Sequence, residues 1–103
     1  MLQKIYTGNT VAFTALPTVD GQAVDMSGED QGHVGFIVKL NRTDPDTDAV
    51  INKESNDGNF TIEASETDGI TPGPYYYEFR WFFNDAEFTL ETGILHIDRS
   101  VYN

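Results

Sequence analysis

Apolar and polar residues alternate along several short stretches of this chain, the pattern of strands with one buried and one wet face. Phe36, Val38 and Leu40 fall on one side of a run and Ile37 and Lys39 on the other; Phe60, Ile62 and Ala64 alternate with Thr61, Glu63 and Ser65. The pattern predicts strands at Lys4–Thr7, Thr10–Leu16, Ala23–Met26, Val34–Leu40, Ala49–Glu54, Phe60–Ser65, Tyr75–Phe83 and Glu87–Asp98. Turn dipeptides punctuate these runs: Asp20-Gly21, Asp57-Gly58, Asp68-Gly69, Pro72-Gly73 and Asn84-Asp85. No window carries a clean helical period, so little helix is expected. Asn41–Asp48 reads as a polar loop at one end.

The C-terminal third specifies a register. With Asn84-Asp85 as a two-residue turn, Phe83 faces Ala86, Trp81 faces Phe88 and Phe79 faces Leu90. Arg80 then faces Thr89 and lies diagonal to Glu87 and Glu91. Past Thr92-Gly93 the apolar phase slips by one, predicting a β-bulge there and placing Leu95 opposite Tyr75. A second hairpin is expected at Asn56-Asp57-Gly58, with either Ile51 or Val50 opposite Ala64. The expected core is Phe13, Phe36, Val38, Leu40, Phe60, Ile62, Tyr77, Phe79, Trp81, Phe88, Leu90, Leu95 and Ile97, with Tyr75 and Phe83 also turned inward.

Composition supports strands. Val, Ile and Thr number 25 and aromatics 13, against 11 Ala plus Leu. At 103 residues the chain is one domain, 1–103, able to bury a core without staples. Its net charge of −11 argues against nucleic acid and anionic lipid as partners, since both call for clustered bases. No apolar run is long enough for a membrane helix, and no signal-peptide core precedes the domain. With no cysteine there is neither a disulfide framework nor thiol chemistry, which fits a reducing compartment. The expected architecture is all-β, an antiparallel sandwich or barrel.

Candidate chemistry is sparse. Asp44, Asp46 and Asp48 alternate like the start of a calcium loop, but Pro45 intrudes and no glutamate closes it, so a solvated loop is the expectation. His33 and His96 lack metal-ligand spacing, and His96 is expected outward beside Ile94 and Asp98. No nucleophile motif or phosphate loop is present, and seventeen carboxylates make accidental pairs inevitable; no enzyme, metal or cofactor is expected. Asn41-Arg42-Thr43 and Asn59-Phe60-Thr61 match the glycosylation acceptor pattern and are discounted without a signal peptide. In the aromatic run from Tyr75 to Phe83, alternation sends Tyr76, Glu78, Arg80 and Phe82 to the outer face. Two aromatics, a cation and a carboxylate on one strand face suit a protein contact, ahead of scattered surface aromatics or a sugar platform. Another chain, or a loop of the domain itself, would cover them.

The order of these signals resembles a known family. Gly8-Asn9-Thr10, the strand Val11–Leu16 ending in Val19-Asp20-Gly21, and Val24-Asp25-Met26-Ser27-Gly28 come first. Gly35–Leu40, Asp57–Ile62, Thr67–Glu78 and Thr89–Ile97 follow. This order, from about Lys4 to Asp98, resembles the small Ig-like β-sandwich domains of tailed-bacteriophage structural proteins, such as the N-terminal domain of the phage baseplate upper protein. The resemblance implies an Ig-like sandwich of seven or eight strands and a (pro)phage virion component of the tail, baseplate, fibre or neck. It also implies copies of itself or other virion proteins as partners, and assembly in the bacterial cytoplasm. It carries no catalytic residues. That family continues into further domains, whereas this chain ends just after Tyr102, pointing to a stand-alone virion protein or accessory module. The alternative is a glycan- or receptor-binding module at a bacterial or phage surface.

Overall fold

The computed structural model describes residues 3–26 and 31–100; Ser27, Gly28 and Tyr102, named above, lie outside them. The described residues are mostly β, in nine strands: β1 Lys4–Tyr6, β2 Val11–Thr14, β3 Thr18–Val19, β4 Gln22–Ala23, β5 His33–Lys39, β6 Ile51–Ser55, β7 Asn59–Ile62, β8 Gly73–Phe83 and β9 Ala86–Asp98. A five-stranded sheet has the order β1-β9-β8-β5-β6, β2 pairs with β7, and β3 with β4 forms a small ribbon in place of the expected strand Ala23–Met26. All pairings are antiparallel except β1 with β9, which is parallel.

Alternation places Val34, Phe36 and Val38 of β5, and Tyr75, Tyr77, Phe79 and Trp81 of β8, on one buried side of the large sheet. The β2–β7 pair covers that side. Phe13 and Phe60, register partners in the small sheet, stack at 5.5 Å, and Phe36 and Phe79, partners in the large one, stack at 4.7 Å. Across the gap Phe13 meets Phe36 at 5.3 Å and Phe79 at 5.8 Å, both edge-on at 74°. Ile5, Ala15, Met26, Ile51, Ile62, Leu95 and Ile97 complete the core.

The Asn84-Asp85 turn forms as expected, with φ of 54° and 62°, the paired left-handed conformation of a tight hairpin turn. Phe83 faces Ala86, Trp81 faces Phe88, Arg80 faces Thr89 and Leu95 faces Tyr75. The bulge lies earlier than expected: Phe79 pairs with Glu91, so Leu90 is the extra residue. Bulging at Leu90 turns Glu91 toward the Tyr77 hydroxyl, which donates to it at 2.5 Å, and sets Gly93, Leu95 and Ile97 on the inward side. The glycine serves a different need. A Cβ at Gly93 would lie 2.9 Å from Tyr77 Cε1, so its missing side chain is the space that ring occupies.

Further expectations are corrected. Leu40 and Phe88 are 55% and 47% exposed and do not belong to the core. β5 ends at Lys39, so Leu40 leaves the alternation; Phe88 touches Trp81, but the hairpin's eleven- and thirteen-residue strands outrun the four-residue strands of the covering sheet. For the same reason Phe83 is only half-buried. Asn56-Asp57-Gly58 is a corner rather than a hairpin, because β6 pairs with β5 while β7 crosses to β2. Asp57 holds the corner by accepting from Asn59 N at 3.0 Å and Ser55 Oγ at 2.8 Å, while Gly58 takes a φ of 83°. Ala64 therefore faces neither Ile51 nor Val50.

The strand expected to reach Ser65 stops at Ile62, and Ala64–Thr67 form a short helix, α1. Glu63 and Glu66 form a reciprocal capping box that makes helix the better local solution. Lys53 of β6 bridges both carboxylate oxygens of Glu66 at 2.7 Å, tying the large sheet to α1.

Phe79→Ala is expected to cost about 3–5 kcal/mol by urea denaturation, since it removes one member of the central ring cluster. Gly93→Ala should cost about 1–3 kcal/mol by forcing the Tyr77 ring off its seat. A Gly93→Ala midpoint equal to wild type would show that this contact carries no strain.

Candidate functional site

Residues whose side chains do not enter the core line the other face of the five-stranded sheet. On β8 these are Tyr76, Glu78, Arg80 and Phe82, all four of the residues singled out from alternation, and all are half-buried. The register sets Lys39 of β5 beside Tyr76, Ile37 beside Glu78, Gly35 beside Arg80 and His33 beside Phe82. On the far side of β8, Ile94, Thr92, Thr89 and Glu87 of β9 face the same four residues. The four together line one concavity of about 410 Å³, which also reaches Asn52 and Glu54 of β6 and residues of the 41–48 loop.

That loop forms one wall. Lys39 Nζ donates to the Asp44 carbonyl at 2.8 Å and pairs with Asp46 Oδ1 at 2.6 Å. The Asp44 carboxylate accepts from Asn41 N at 3.1 Å, tightening the turn. Arg42 lies 4.8 Å from the centre of the Tyr76 ring, in cation–π contact. Asp44 and Asp46 are thus spent on clamping the loop to the sheet, and Asp48 closes a single 3-10 turn. Among the described residues no cluster of three or more potential ligands suits a metal ion.

At the other end Phe82 stacks on His33, centroids 4.8 Å apart, and leans over Gly35, where a Cβ would meet its ring at 3.1 Å. Arg80 is clamped between Glu78 at 2.5 Å and Glu87 at 3.1 Å. Burial works against the Arg80 charge, but hydrogen bonds to Glu87 and Glu78 outweigh it and raise the guanidinium pKa. His96 points outward and is exposed, as expected.

The outer aromatics were legible in the sequence; their surroundings were not. Arg42 and Asp46 come from a polar loop that Lys39 clamps to the sheet, and Asn52 comes from β6, which the β6-β5-β8 order brings to the same face, in line with Ile37 and Glu78. Comparison with protein-family models and with curated protein sequences finds no match for this chain.

The Lys39 hydrogen bond, followed by its charge, holds the Asp46 carboxyl below its ordinary 3.8. A depressed folded pKa means that the clamp's contribution is fully present above that ordinary value and is lost as pH falls through the lower folded one. Amide protection factors in residues 41–48, which correct for the intrinsic pH dependence of exchange, are therefore expected to match between pH 5 and pH 7 and to fall only in strong acid, while Asp46→Asn lowers them already at neutral pH. Equal exchange in the variant at neutral pH would show that the loop is held by other means.

Proposed function

We propose that this chain is a non-enzymatic structural component of a tailed-phage virion, an Ig-like β-sandwich module that docks on other virion proteins or on copies of itself. The order of turn and core motifs, which resembles such domains, supports the class. The sandwich-like facing of β2–β7 and the large sheet fits it.

The observation that carries the docking role is the free edge of β9. β1 pairs with it only at His96–Asp98, so no described strand covers the edge from Ala86 to Leu95. Exposed Phe88 and Ile94 flank it, at 47% and 49%. A long uncovered edge with apolar side chains beside it is a ready template for another strand. The Leu90 bulge interrupts the edge and restricts the registers a partner strand can take. Ile94 stands opposite Tyr76, so a docked strand would extend the outer face that carries Tyr76, Glu78, Arg80 and Phe82.

Mass spectrometry of purified phage particles from the source culture tests the class: the protein is expected at stoichiometric level with other virion proteins. Recovery only from cell fractions, with the particle proteins well covered, overturns it. Phe88→Lys/Ile94→Lys tests the edge. Both side chains are exposed, so the variant should stay within about 1 kcal/mol of wild-type stability, yet be depleted from particles at least tenfold. Normal incorporation would move the docking surface elsewhere.

A further inference from the structure

We infer that the concavity on the outer face is a binding site for a neutral saccharide, a role that goes beyond docking and stands or falls separately from it.

Charge gives the first argument. The whole chain carries −11, yet three bases (Lys39, Arg42, Arg80) and three acids (Asp46, Glu54, Glu78) line the concavity and cancel. Half of the chain's six Lys and Arg residues are gathered there. An anionic ligand would meet the repulsion of the surrounding surface, and a cationic one would find stronger attraction elsewhere on it. A neutral, hydroxyl-rich ligand avoids both.

Shape and surface chemistry give the second. Tyr76 and Phe82 stand toward opposite ends, six residues apart, about 20 Å along an extended strand, and Phe82 leans back toward the middle over Gly35. Arg42 and His33 hold these two rings in place through contacts within the chain, so little order has to be gained on binding. Ile37 supplies an apolar patch of floor between them. Asn52 and Thr92, both exposed, make no side-chain hydrogen bond among the described residues and line the same space. Aromatic faces with spare amide and hydroxyl groups around them match the apolar faces and hydroxyl rim of pyranose rings. The volume of about 410 Å³ lies within the usual range of small-ligand sites.

The test is a titration of isotope-labelled protein, followed by amide chemical shifts, with cellobiose, maltose, N,N′-diacetylchitobiose and their tetrasaccharides. Glucuronic acid and glucosamine serve as charged controls. At least one neutral oligosaccharide is expected to give saturable shifts on β5, β8 and residues 41–48, with the charged sugars at least tenfold weaker. Tyr76→Ala should weaken binding at least tenfold. Asn52→Ala and Thr92→Ala, which remove no side-chain hydrogen bond among the described residues, should weaken it severalfold while changing the unbound spectrum only next to the substituted residue. No saturable shift from any neutral sugar at tens of millimolar, shifts located elsewhere, or equal binding of charged sugars would overturn the inference. Incorporation into particles, measured separately, is unaffected by that outcome.

Discussion

Four phenylalanines hold this fold together. Phe13 and Phe60 stack as a cross-strand pair in the small sheet, Phe36 and Phe79 in the large one, and the two pairs meet edge to face. Each ring therefore serves both its own ladder and the contact between layers. Edge-on packing sets positive ring edges against negative ring faces, which favours one mutual arrangement over sliding. The relative position of the sheets, and with it the placement of everything on the outer face of β8, follows from that cluster. A four-residue strand pair has little other surface with which to fix its position.

Strict alternation made the inner side legible. Phe36, Val38, Tyr77, Phe79, Trp81, Leu95 and Ile97 were assigned to the core from period alone and are buried. Alternation failed where a strand ended, as at Leu40, or outran its cover, as at Phe88, because period reports which side a residue faces and not whether anything lies there. The bulge shows a different limit. A phase slip between Leu90 and Leu95 was visible, but the glycine nearest it was the wrong place for it. The inward turn of Glu91 depends on the Tyr77 hydroxyl, a partner fourteen residues away that the local pattern does not contain.

Non-local pairing hid the rest. The Asn56-Asp57-Gly58 corner has the composition of a hairpin turn, and only the competition between β5 and β2 for the two flanking strands decides that it joins different sheets. The concavity is legible to the same degree: its β8 wall followed from alternation, while the loop wall depended on Lys39 reaching Asp44 and Asp46. Sequence places side chains on faces more readily than it places faces beside one another.

The parallel pairing of β1 with β9 bears on how the domain answers mechanical load. Backbone bonds from His96 N to the Gln3 carbonyl and from Thr7 N to the Asp98 carbonyl bracket this short ladder, and Lys4 pairs with Asp98 at 3.1 Å. Residues 4–6 and 96–98 run side by side in the same direction. A pull that draws the front of β1 backward and the end of β9 forward acts along the strands in opposite senses. The ladder is then sheared, all its bonds strained together, whereas an antiparallel pair pulled apart at one end yields bond by bond. Forced unfolding is governed by the height of the barrier to rupture, and this geometry sets the two ends of the domain against each other as a clasp.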